Sequence, residues 1–209
     1  MNKLTFLFLL SAVASPLYAG ERFSVSSIQT LKMNGIERQT LDYSCGAAAL
    51  SILLTHYFED SLSEEDILAD MIYRQSKDEL IETAREGFSL LHLKQSAQRL
   101  GYNVEGVRLT LSQAKILRGP VIILLRGSGL NHFVVLKGIT EGRAFISDPS
   151  RGHYRIPTFK LMEKWRGETL VLGRDNFGLP IEHGMSLPSS DFDAPERQTV
   201  RALRNIPIH

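Results

Sequence analysis

The single cysteine of this 209-residue chain, Cys45, lies within QTLDYSCGAAALSILLTHYF, residues 39 to 58, at what reads as the start of a helix. Asp42 or Ser44 can cap the free N–H groups there. A cysteine in that first turn faces those groups and the positive end of the helix dipole, which favour a thiolate over a thiol. A thiolate is a nucleophile. Gln39 lies six residues ahead and carries an amide able to donate to an oxyanion developing beside the sulfur. Gly46, followed by Ala47, Ala48 and Ala49, leaves room for another backbone or a substrate to come close.

The competing reading of a lone cysteine is an inert core thiol, and the compartment decides between the two. MNKLTFLFLLSAVASPLYAG has one early Lys3, an apolar run from Leu4 to Leu10 and then small residues. That is the layout of a secretory signal peptide, with cleavage after Ala14 or Ala19. Residues 1–19 are therefore expected to be a signal, and the rest of the chain a soluble periplasmic protein. An exported cysteine with no second cysteine to pair with is a liability unless its thiol has a use. The same lack of a resolving cysteine argues against a redox role.

With 24 basic against 23 acidic residues and 43% hydrophobic residues, the chain can bury an ordinary core. The balance gives no reason to expect nucleic acid or an anionic membrane surface as partner. Peptides, proteins or small molecules remain. No group of histidines and carboxylates has metal-ligand spacing and one cysteine cannot build a thiolate zinc site, so no metal or cofactor is expected.

A nucleophilic thiol needs a base. His132 opens the second of the predicted strands and Asp148 closes the third; on neighbouring antiparallel strands the two can lie side by side at one end of a sheet. His153, close to Asp148, is the reserve candidate. His56 falls late in the buried helix, His92 beside a core stripe, and His183 and His209 in irregular sequence.

The elements that must position these groups are partly readable. Residues 20 to 38 predict an extended lead-in with at most one edge strand. A helix runs through the cysteine stretch, and a second starts at Ser63 ahead of Glu64, Glu65 and Asp66 and ends near Met71. Ser76 to Arg85 reads as a solvated helix. Gly87 to Tyr102 is a core helix with Ser89 as cap, a stripe of Leu90, Leu93, Ala97 and Leu100, and Gly101 as stop. Thr110 with Gln113 opens a short helix. From Pro120 the period changes to that of strands, with turns at Arg126-Gly127-Ser128-Gly129 and Glu141-Gly142. A short helix from Phe159 to Trp165 and a strand from Glu168 to Leu172 follow. The proline-punctuated remainder, 175–209, predicts a loose tail. The class is α+β, N-terminal helices packed on a C-terminal antiparallel sheet.

Gln39, Cys45-Gly46, Gly87-Phe88-Ser89, Asn131-His132-Phe133-Val134-Val135-Leu136 and Asp148-Pro149, in that order, resemble the bacteriocin-processing C39 (double-glycine) peptidases over roughly residues 36 to 172. Within that family the strings around Cys45 and Gly87 are most similar to the small exported members of the Fap functional-amyloid secretion type. The resemblance implies a papain-like domain over 20–174. It also implies Cys45 as nucleophile, His132 as general base, Asp148 as its orienting carboxylate, and Gln39 with the Cys45 N–H as oxyanion hole. A thiol paired with His132 would then titrate below its free value of about 8.5. The implied reaction is cleavage after a Gly-Gly pair, here in amyloid subunits or their outer-membrane secretion pore. Two rivals fit the same groove: a binding module that holds an exported chain without cutting it, and an acyl transferase using the same three side chains.

Overall fold

The computed structural model describes residues 27–187 apart from 37, 42, 128–130 and 181. The expected signal segment 1–19, Asp42, Ser128-Gly129 and the chain beyond 187 lie outside the described residues.

Helix α2 (Cys45–Tyr57) is buried along almost its whole length. Its run of small and apolar side chains leaves no polar face to turn towards water. Around it stand α1 (Ile28–Lys32), α3 (Glu64–Tyr73), α4 (Lys77–Glu86) and α5 (Leu90–Arg99). Ser63, Ser76 and Ser89 cap the last three, Ser63 and Ser89 as the sequence predicts, each in a reciprocal capping box. The solvated character of α4 is borne out, with Thr83 its one buried residue.

The strands are β1 (Asn103–Arg108), β2 (Val121–Leu125), β3 (His132–Thr140), β4 (Arg143–Asp148), β5 (Gly152–Pro157) and β6 (Trp165–Gly173). They form one sheet in the order β1-β6-β2-β3-β4-β5, every neighbouring pair antiparallel. Side chains alternate between its faces. Ile122, Leu124, Phe133 and Val135 join the core built by α2, α3 and α5. Val121, Ile123, Leu125, Val134 and Leu136 enter a second core with Trp165 and with Leu161 of α7 (Thr158–Lys164). The uninterrupted apolar run of β2 follows from this burial on both faces. The short helix opened by Thr110 and Gln113 is α6 (Leu111–Ala114), and Ala114 seats it on the second core.

Three expectations need correction. The lead-in is helical where it is described: Ser27 Oγ accepts the Thr30 N–H and starts α1, with Ile28 and Leu31 exposed. Strand β1 was not anticipated, because only Val104 of its residues is buried and its period is correspondingly faint. It is held as an edge by pairing with β6, Val104 opposite Leu172. The start of the stretch expected to be loose is anchored: the Phe177 ring packs on Tyr57 and Phe58, and Met185 is buried.

Gly46 serves helix packing and not substrate approach. A Cβ there would lie 2.7 Å from Leu93 Cδ1 and 3.2 Å from Phe133 Cδ2, wedged between α5 and β3. Gly46→Ala should therefore overpack the core beside Cys45 and lower stability by about 1–3 kcal/mol. Urea unfolding of the two proteins measures this; equal midpoints would show that Leu93 can move aside.

Candidate active site

Cys45 is the first residue of α2 and is only 4% exposed. Ser44 occupies the N-cap position, but its hydroxyl does not cap the helix. At φ −88° and ψ 2° its backbone is not in the extended conformation that aims a side chain at the first-turn N–H groups. Ser44 Oγ instead donates to Leu41 O at 2.9 Å and accepts the Leu41 N–H at 3.1 Å, closing the loop that leads into the helix. The first turn is thus left uncapped by that side chain beside the thiol. Cys45 Sγ lies 3.9 Å from the carbonyl oxygen of Asn131, the residue before His132.

His132 is the first residue of β3, and its Nε2 is 2.8 Å from Asp148 Oδ1 at the end of β4. The register explains the meeting. Val135 faces Ser147, which sets Asp148 across from Val134, two residues along the same face from His132. With Nε2 turned to Asp148, Nδ1 is the ring nitrogen left for Cys45. Burial alone would push the imidazole pKa down; hydrogen bonds to Asp148 and Cys45, with the negative charge of each, outweigh it and raise the pKa to about 9. Burial would likewise push the Asp148 carboxyl up, yet the hydrogen bond and charge of His132 and the donors of Ser150 hold it down at about 2.

Asp148 is fully buried and surrounded by donors. Its Oδ1 accepts the Ser150 N–H at 2.8 Å and the Ser150 hydroxyl at 2.7 Å; its Oδ2 accepts from the Tyr154 hydroxyl at 3.3 Å and has Arg151 Nε at 3.8 Å. Burial and the Asp148 charge raise the Tyr154 pKa, so that phenol remains a donor. Sequence reasoning missed these supports. Asp-Pro-Ser is a recognisable signal for one of them, since an aspartate before a two-residue step often accepts the N–H at its end.

Gln39 sits on the loop between the two halves of the site. Its backbone N–H donates to Pro149 O at 3.3 Å, next to Asp148, and its Nε2 donates to Leu41 O at 3.2 Å. Thr40 gives its N–H to both carboxylate oxygens of Glu64, at 3.1 Å each, and Glu64 is buried at the start of α3. Glu64, expected only to open a helix behind Ser63, is also the tether of this loop. The reserve base His153 is not brought to the thiol. Its Nδ1 meets Ser147 Oγ at 2.8 Å and its Nε2 meets Asn34 O at 3.1 Å, so it fastens the end of α1 to the sheet. Burial and the nearby Lys137 lower its pKa. Among the described residues, no group of three or more His, Cys, Asp or Glu side chains could share a metal ion.

A thiol at a helix start, an imidazole on the facing strand and a carboxylate behind it are the architecture of a papain-like cysteine peptidase. A double glycine motif protease from an AMS/PCAT transporter, solved in complex with the leader peptide, has the same fold. It is 29% identical, with a TM-score of 0.54 over 66% of this chain and 89% of that one. The chain belongs to the Peptidase C39 family, whose model matches residues 34–176. Among curated relatives, the probable functional amyloid protease FapD of Pseudomonas aeruginosa is 31% identical over 143 residues, 68% of this chain and 62% of that protein. The protein of the same name from Pseudomonas fluorescens is 28% identical over 173 residues, 77% of this chain and 75% of that protein. The match thus spans somewhat less than two thirds of the first relative's length.

The pH dependence of stability follows from the His132–Asp148 pair. The folded pKa of His132, about 9, lies above its ordinary value of about 6.5, so its contribution is full below about pH 6.5 and is lost as pH rises through 9. Asp148, at about 2, lies below its ordinary value of about 3.9, so its contribution is full above about pH 4 and is lost as pH falls through 2. Urea midpoints should fall between about pH 6.5 and 9, and the fall should be absent in Asp148→Asn. A parallel fall in both proteins would show that another group titrates there.

Proposed function

We propose that this chain is an exported cysteine endopeptidase that cuts after small residues such as Gly-Gly in a protein of a functional-amyloid secretion route. The observation that carries this reading is the His132–Asp148 pair, held at 2.8 Å at the mouth of the strand that meets Cys45. The C39 family supplies the reaction class, and the FapD relatives supply the secretion context. Export rests on the apolar leader from Leu4 to Leu10 and the small residues after it.

In this reading His132 is an imidazolium at neutral pH and stands beside the sulfur. The Cys45 sulfur attacks the scissile carbonyl carbon, and the carbonyl electron pair moves to oxygen. One N–H of the Gln39 amide is committed to Leu41 O, leaving the second to meet that oxyanion together with the Cys45 backbone N–H. Collapse expels the amine, which takes a proton from His132 and leaves a thioester on Cys45. His132, neutral again, removes a proton from water; the hydroxide displaces the sulfur, and the acid product and the thiolate are restored. Asp148 keeps the ring oriented and favours its charged form throughout.

The test mixes the protein with the amyloid subunits and the outer-membrane pore of the same secretion route and reads fragments by mass spectrometry. A fragment should appear with the unsubstituted chain and be absent with Cys45→Ala. Gln39→Ala should lower kcat by roughly 10²–10³-fold with little change in KM, the signature of a donor used in the transition state. No Cys45-dependent fragment from any of these proteins would remove the proposed substrate.

A further inference from the structure

A cavity of about 530 Å³ opens beside the imidazole on the face of the sheet that carries α7. His132 and Tyr154 line it, with Leu125 and Leu161 in its apolar part. Four cations border it, Arg126, Arg151, Lys160 and Lys164, against one carboxylate, Glu163. Two of the four are engaged: Arg126 donates to Glu168 at 2.6 Å, and Arg151 stands 3.8 Å from Asp148. Lys160 and Lys164 make no ion pair among the described residues. They sit four residues apart on the same side of α7, where two like charges oppose helix formation. A pair placed this way gains when an anion comes between them.

We infer that this cavity is a subsite for an acidic side chain of the polypeptide substrate, a glutamate whose carboxylate meets Lys160 and Lys164 and whose methylenes lie on Leu125 and Leu161. The inference rests on the peptidase reading, because the cavity shares His132 with the proposed catalytic set, so its occupant belongs to the chain whose bond is being cut. Recognition by charge beside a site that accepts only small residues at the bond itself would give the enzyme a second criterion for choosing its substrate. The cations focus the field in a partly enclosed space, so the preference is sensitive to salt.

Binding can be read separately from cleavage. The full chain carrying Cys45→Ala is titrated into a fluorescein-labelled peptide with Gly-Gly at its centre and one Glu walked along it, each peptide paired with its Gln counterpart, and anisotropy is recorded. At one position Glu should bind roughly tenfold tighter than Gln at low salt, and the advantage should shrink as sodium chloride is added. K160Q together with K164Q should erase the advantage and leave the Gln peptide's affinity unchanged; both side chains are exposed, and a thermal melt confirms the fold. No binding of any Glu peptide, a Glu-to-Gln ratio near one at every position, or a preference that survives the double variant would each overturn the subsite. Cleavage by the unsubstituted chain is the separate readout. Peptides bound with the Glu preference but left uncut would keep the subsite and remove the hydrolytic reading. Peptides cut equally well with Glu or Gln would do the reverse.

Discussion

A carboxylate removed from water must be met by donors or by a cation, and Asp148 is met by both. Its burial is what ties the strand end of the site together: β3 brings the imidazole, the turn after β4 brings the Ser150 donors, and β5 brings the Tyr154 hydroxyl. An ionised group of this kind without partners would cost several kcal/mol, and leaving any one of these donors unpaired would return part of that cost. The register of β3 on β4 is fixed by the same requirement, since a slip of one residue would carry His132 and Asp148 to opposite faces of the sheet. The chemistry and the strand pairing are therefore one constraint.

The helical side of the site is organised differently. Cys45 is placed because α2 is buried on almost every side and because Gly46 lets that helix settle onto Leu93 and Phe133. The loop before it is held at three points, by Glu64 on Thr40, by Pro149 on the Gln39 backbone, and by the Ser44 hydroxyl on Leu41. Two of these reach outside the loop, one to a helix start and one to the turn that follows Asp148. Gln39 is thus located by the same strand end that locates the carboxylate. This is a physical reason for Gln39 and Asp148 to move as a unit.

Much of this was legible in the amino-acid sequence because it depends on local chemistry. The Ser63 and Ser89 caps, the Thr110–Gln113 box and the all-apolar β2 are patterns that one segment carries by itself, and the order of Cys45, His132 and Asp148 needs only the positions of three such segments. What escaped is tertiary in origin. The Ser44 hydroxyl was free to cap its helix or to close a loop, and only the backbone angles decide. Tyr154 and Arg151 converge on Asp148 through a turn whose shape is set by β5. Strand β1 has one buried side chain and exists because β6 offers it an edge. Met185 finds the core only after α2 and the sheet have built it.

Chain separation gives these contacts an order. His132 and Asp148 are 16 residues apart and can meet within one meander, whereas the Cys45 sulfur reaches the mouth of that meander across 86 residues. The shorter loop closes at smaller entropic cost and earlier in the assembly of the domain. A nascent or partly unfolded chain can therefore hold an oriented imidazole without holding a thiol beside it. The meeting of the sulfur with the imidazole strand is made conditional on completed folding, a condition written into the spacing of the chain.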